Sequence, residues 1–256
     1  SQMRQLHIYF FCISFLAHLT QGIAQNENIE KQTIKDSLSP TAKKDSLIAF
    51  SKALRLGTDL YRLIRSQADP DFQGWEFVAD FRLKKEFYIA VEVGNENHTL
   101  QREQINFTSS GSYLKLGFDY NLFENWEGMD NQVYLGLRYA QSSHAQEVNT
   151  YLVYNRDHYW PDQETTIGNS TGIRNDLSAS WIEVVAGIKV QLIKNFYMGF
   201  SGRLTRLLSD QKPENFDNLY IPGFNRKTDE NSFGATLNYT LTYKIPIAKI
   251  KKENLD

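Results

Sequence analysis

The residues whose types and spacing best suit chemistry are Ser142, Ser143 and His144, with Glu147 three positions on. A serine hydroxyl becomes a nucleophile when an imidazole takes its proton and a carboxylate orients that imidazole. On an extended chain Ser142 and His144 share one face and Ser143 takes the other. The remaining histidines beyond residue 24, His98 and His158, are scattered and lack the spacing of a zinc site. The reading is therefore solvated loop histidines, with no catalytic residue, no metal and no cofactor expected.

A second set of polar residues has a stricter placement. Arg55, Asp59, Glu76, Asp80, Arg82, Glu92, Lys115, Asp119, Arg138, Glu183, Lys189, Arg203 and Lys244 fall on one face of segments that alternate with period two. The last segment is the clearest: Phe233, Ala235, Leu237, Tyr239, Leu241, Tyr243 and Ile245 face away from Gly234, Thr236, Asn238, Thr240, Thr242 and Lys244. The same rule holds around Trp75, Phe77 and Ala79, then Phe87 to Val93, Leu114 to Leu122, Val133 to Tyr139, Ile182 to Leu192 and Phe196 to Phe200. A first strand around Leu54 and Leu56 completes eight. Short connections (84–86, 123–131, 193–195) alternate with long polar ones (61–73, 95–111, 141–175, 208–231), so all long loops are expected at one end of the sheet. Prolines fall outside the strand interiors, and Pro246 is expected to end the last strand.

Which face lies inside follows from the glycines. Gly57, Gly94, Gly117, Gly136, Gly187, Gly199 and Gly234, with Gly202 the exception, share the charged face, where a narrow lumen needs small residues between long ones. The apolar face carries no charge, as a lipid-facing surface requires, since one Arg or Lys at mid-bilayer costs about 2–4 kcal/mol. Trp75, Tyr139 and Phe233 would form an aromatic girdle at the loop end, and Phe87, Tyr120, Phe196 and Tyr243 one at the turn end. The near-balanced lumen charges can pair and plug it, which predicts no diffusive pore.

Composition fits this picture. With 41% hydrophobic and 13% aromatic residues the chain can build a core, and 28 basic against 30 acidic side chains leave no footprint for nucleic acid. A mean hydropathy of −0.48 excludes a bundle of membrane helices but not a barrel, whose alternating strands average to a polar score. Met3-Arg4-Gln5, an apolar run from Leu6 to Leu19 and the small residues of Gly22-Ile23-Ala24 read as a secretory signal peptide over 1–24, cleaved before Gln25. Cys12 lies in that apolar run, so no cysteine remains after cleavage and closure of the barrel takes the place of disulfides. Residues 25–52 read as a flexible periplasmic segment, 53–246 as the barrel and 247–256 as a periplasmic tail. Asp36-Ser37-Leu38 and Asp45-Ser46-Leu47 match a short O-glycosylation acceptor pattern.

The cleavage position at Ala24-Gln25, the stretch from Gly74-Trp75-Glu76 to Asp80-Phe81-Arg82 and that from Tyr88 to Gly94-Asn95-Glu96 resemble the small Bacteroidota outer-membrane barrels of uncharacterised function. The resemblance implies an eight-stranded antiparallel transmembrane β-barrel in the cell outer membrane, with short periplasmic turns and long extracellular loops. It also implies an accessory barrel beside a larger machine for barrel assembly or secretion. Expected partners are outer-membrane lipids and another outer-membrane protein or periplasmic lipoprotein. Loop aromatics Tyr151, Tyr154, Tyr159, Trp160, Phe216, Tyr220 and Phe224 are the candidate partner contacts, because apolar patches outside a bilayer mark contact surfaces. Two alternatives stand beside this expectation. One is a lipid A or phospholipid modifying barrel using His144, and the other is a surface adhesin using the 141–175 loop.

Overall fold

The structure, a computed structural model, describes residues 51–102, 105–124, 130–153, 163–166, 173–211, 217–226 and 232–249. All of these belong to one compact unit, Leu47–Asp256. The expected signal peptide, most of the N-terminal segment with its two Asp-Ser-Leu sites, and residues 250–256 lie outside the described residues.

The elements in chain order are β1 (Ser51–Asp59), α1 (Leu60–Ala68), β2 (Phe72–Arg82), β3 (Phe87–Gln101), β4 (Ile105–Asn121), β5 (Gln132–Val153), β6 (Gln163–Thr166), β7 (Ile173–Ile193), β8 (Phe196–Asp210), β9 (Tyr220–Ile221), β10 (Asn225–Arg226) and β11 (Phe233–Lys249). Strands β4-β3-β2-β1-β11-β8-β7-β5 follow one another as antiparallel neighbours, and β4 pairs with β5 to close the ring. The result is a closed eight-stranded barrel. Closure removes the sheet edges that an open eight-stranded sheet would leave. No helix among the described residues is long and apolar enough to cross a membrane, and a barrel crosses with strands instead.

The distribution of polarity is that of a membrane barrel turned inside out relative to a water-soluble one. Arg55, Glu76 and Glu183 are at most 1% exposed, whereas outward Phe77 is 62%, Leu204 66% and Leu237 57% exposed. At the turn end, outward Phe87 packs edge-on to Tyr120 and Phe196 to Tyr243, each with ring centroids 5.0 Å apart. These pairs sit side by side across neighbouring strands, as an interfacial girdle does.

Several boundaries depart from the sequence reading. Two of the expected long loops, 95–111 and the start of 141–175, are strand: β3 and β4 run on to Gln101 and from Ile105, and β5 runs on to Val153. In these extensions the outward residues become Asn97, Ser110, Ser112, Gln141 and Ser143, so period two persists while the apolar half of the pattern disappears. Barrel β1 begins at Ser51, two residues before the expected start, and β11 continues through Pro246 to Lys249. Pro246 is tolerated because β8 already ends its pairing with β11 at Tyr243↔Phe196, so no ladder donor is required on that side. The bulge between Lys52 and Ala53 absorbs the irregularity opposite Pro246.

The expected loop after β1 holds the helix α1. Asp59 ends the strand and caps the helix, its Oδ1 accepting from Tyr61 N at 2.9 Å. Pro70 follows the last turn, where it cannot continue a helix. Between them Arg62 points inward and is buried, while Ile64 faces out at 65% exposure. Thus α1 succeeds the short β1 and leans on β2 through Ser66 and Gly74, with a cavity between the helix and residues 235–239 of β11.

Candidate functional site

The interior is a column of ion pairs. Nearest the turn end, Asp130 accepts from Arg82 Nη1 at 3.1 Å and from Lys244 Nζ at 2.5 Å. Above it Asp80 meets Arg55 at 3.2 Å and Lys189 at 2.7 Å, and Asp119 takes Arg138 at 2.6 Å. The centre joins five strands: Arg203 bridges Glu92 at 2.5 Å and Glu183 at 3.1 Å, Lys115 reaches Glu183 at 3.0 Å, and Arg138 reaches Glu92 at 3.3 Å. Toward the loop end Arg62 gathers Asp59, Glu76 at 3.5 Å and Glu96 at 2.6 Å. Eight acids (Asp59, Glu76, Asp80, Glu92, Glu96, Asp119, Asp130, Glu183) thus face eight bases (Arg55, Arg62, Arg82, Lys115, Arg138, Lys189, Arg203, Lys244). Equal numbers allow every charge a partner without water, the condition under which buried charges survive.

Every lumen residue expected from the sequence lies in this column. Glu96, Asp130 and Arg62 join it although the sequence reading left them in connections. Glu96 sits where β3 has lost its outward apolar partners, Asp130 in a turn, and Arg62 on a helix whose period differs from its neighbours'. The surviving signal was continued alternation through Gly94, Glu96 and His98 on one face.

Tyr113 seals the column. Its hydroxyl donates to Glu76 at 2.7 Å, and its ring lies so close to Gly94 and Gly223 that a Cβ on either would clash at 2.3 or 2.6 Å. Gly223 also needs its positive φ of 82°, which suits glycine. The β9–β10 turn therefore dips into the mouth. Tyr220 donates to Glu96 at 2.9 Å, the amide of Gly223 donates to the same carboxylate at 3.0 Å, and Phe224 packs on Trp181. Burial and the adjacent Glu96 carboxylate push the Tyr220 phenol well above its ordinary range, so it remains a donor across physiological pH.

This corrects the reading of Tyr220 and Phe224 as exposed contacts: they are 5% and 1% exposed and plug the mouth. An apolar loop sequence beside a cavity folds inward because burial there gains apolar contact at no cost in backbone pairing. Tyr154, Tyr159, Trp160 and Phe216 lie outside the described residues, and Tyr151 is described only as part of β5.

Ser142 and His144 share the inward face and are both buried, not solvated in a loop. The imidazole Nε2 of His144 bonds to Asn218 Oδ1 at 3.2 Å, and Ser142 Oγ has no hydrogen-bond partner among the described residues. The hydroxyl-to-imidazole step of a serine nucleophile is therefore not assembled there. His98 is held between the Phe72 and Tyr220 rings with Nε2 3.2 Å from Arg65 Nη2. Among the described residues no cluster of three His, Cys, Asp or Glu could hold a metal ion.

A cavity of about 800 Å³ opens at the loop end beside α1, lined by Tyr61, Arg62, Arg65, Glu96, His98 and the run 235–239 of β11, among others. That run includes outward and inward residues alike, so the cavity follows the edge of the strand.

No curated protein matches the chain. Among solved structures it is similar to the crystal structure of Neisserial surface protein A (NspA), at 8% identity and a TM-score of 0.34, covering 77% of this chain and 95% of that one. The family model described as "Domain of unknown function (DUF6048)" matches residues 6–250, and by that match this chain, with its charge-filled barrel, belongs to the DUF6048 family.

Proposed function

We propose that the chain is an integral outer-membrane barrel that does not conduct, and that it serves as an accessory or scaffold subunit of a larger outer-membrane complex for barrel assembly or secretion. The observation that carries this reading is the lumen: paired charges fill it, and Tyr220 and Phe224 close its mouth. A barrel filled in this way offers its wall and rims, not its interior, as working surfaces. The apolar wall supports the membrane placement. Replacing outward Leu137, which lies between the levels of the Tyr139 and Tyr120 girdles, by Arg is expected to cost about 2–4 kcal/mol in lipid vesicles, whereas a water-facing wall would leave stability unchanged.

The partner is another outer-membrane protein or a periplasmic lipoprotein, with the surrounding lipids as the remaining contact. A C-terminal tag, extraction of native outer membranes in mild detergent and quantification of co-purifying chains test this. A near-stoichiometric second membrane protein is expected. Recovery of the barrel alone overturns the reading, and single-channel currents from the purified barrel in planar bilayers would overturn the closed lumen.

A further inference from the structure

Strand β1 stops halfway up the wall. Its pairing with β11 ends at Asp59↔Thr240 and with β2 at Thr58↔Phe77, and α1 begins immediately after. Above that point β2 and β11 flank a seam. Backbone amides of a strand point alternately to its two neighbours. Lys244 N bonds Asn195 O, and Ser232 O accepts from Leu207 N, both on the β8 side, with an unbroken β11–β8 register between them. Even-numbered residues of β11 therefore face β8, and Ala235 and Leu237 turn their N–H and C=O groups to the seam. Among the described residues neither β1 nor any side chain hydrogen-bonds to those groups.

The seam lies at the level of apolar outward residues, with Trp75 on one flank and Leu237 and Phe233 on the other, all more than 40% exposed. Hydrocarbon cannot satisfy an amide, and each orphan group in lipid costs several kcal/mol. An acyl chain is thus a poor occupant, while a further strand supplies donors and acceptors at the required spacing. We propose that the β11 edge at Ala235–Leu237 is a strand-addition site for an extended segment of the partner protein, an inference that rests on the accessory-subunit reading. The segment's own alternation follows from its surroundings. Outward positions are apolar to continue the wall, and inward positions are polar because they enter the cavity bounded by Arg62, Arg65, Glu96 and His98.

The test uses the full chain in its native outer membrane, with p-benzoylphenylalanine placed at 235, 237 or, as a control, 204 on outward β8. Expected are cross-links from 235 and 237 to one partner, mapping to positions two apart in a single segment. Leu237→Pro deletes the seam-facing N–H and leaves the β8 ladder intact, so the cross-link from 235 should fall at least about tenfold, while Leu237→Ala retains it. Heat-modifiable migration checks that each barrel is folded, and Ala235→Pro, read from 237, substitutes if Leu237→Pro fails that check. Partner cross-links confined to 204, or a yield indifferent to proline, overturn the strand-addition site and leave the accessory reading standing. Cross-links only to lipid or to a second copy at 235 and 237 also overturn it. No protein cross-link anywhere, with the barrel purifying alone, overturns both.

Discussion

The two edges that flank the seam began with the same problem and solved it differently. On β2, the residues facing the seam are Phe72, Gly74 and Glu76, and each has at least one backbone group partnered within the chain. Thr58 Oγ1 donates to Glu76 O at 2.9 Å, Ser66 Oγ both donates to Gly74 O and accepts from Gly74 N, and Phe72 N donates to Asp69 O at 3.2 Å. On β11 the corresponding groups of Ala235 and Leu237 have no such partner among the described residues. A single hydroxyl on a helix can thus stand in for one residue of a missing strand, but a helix wider than a strand serves only the edge against which it leans.

The comparison breaks most severely at Asp59. This carboxylate caps α1, pairs with Arg62 and accepts from Asn238 Nδ2 at 2.7 Å, so it ties the helix to the β11 flank. Asp59→Ala leaves Arg62 with one partner fewer in a buried site and should cost about 3–5 kcal/mol in urea unfolding from lipid vesicles. Asp59→Asn keeps the cap and isolates the charge. Ser66→Ala comes next, at about 1–3 kcal/mol, because it strands two backbone groups of Gly74 at once. Its sharper readout is hydrogen exchange: Gly74, slow in the parent barrel, should approach the rate of Leu237. Tyr220→Phe, which removes one donor from Glu96 beside the seam, should cost about 1.5–3 kcal/mol by the same unfolding measurement, as expected for a bond to a charged acceptor. Leu237→Pro should change the stability of the isolated barrel by no more than about 0.5 kcal/mol, since no bond is lost there. A loss of several kcal/mol would mean that the β11 edge is already paired within the chain.

The pattern of the residues made most of the wall readable. Period two over Phe233–Ile245, with Thr and Gly between, leaves one arrangement of faces. Charges such as Glu92 and Arg203 on the glycine-bearing face could be assigned to the lumen because lipid tolerates none of them. Where the outer face turned polar, as at Asn97, Ser110 and Ser143, strand extensions looked like loops, since alternation is read from a contrast that had vanished. Tyr220 and Phe224 looked like surface aromatics for a related reason. Composition reports an apolar segment, and only the mouth beside it decides whether that segment turns in.

What the sequence determined by itself is local: which stretches are extended and which side of each is apolar. These follow from dihedral preference and from the cost of moving a single side chain into lipid or water. What tertiary structure decided is everything that depends on register between distant strands. Arg203 pairs with Glu92, 111 residues away, because β3 and β8 face each other across a closed ring, and no local preference encodes that distance. The same closure brings β11 beside β1, where a nine-residue strand meets a seventeen-residue one, and the mismatch in length leaves the open edge.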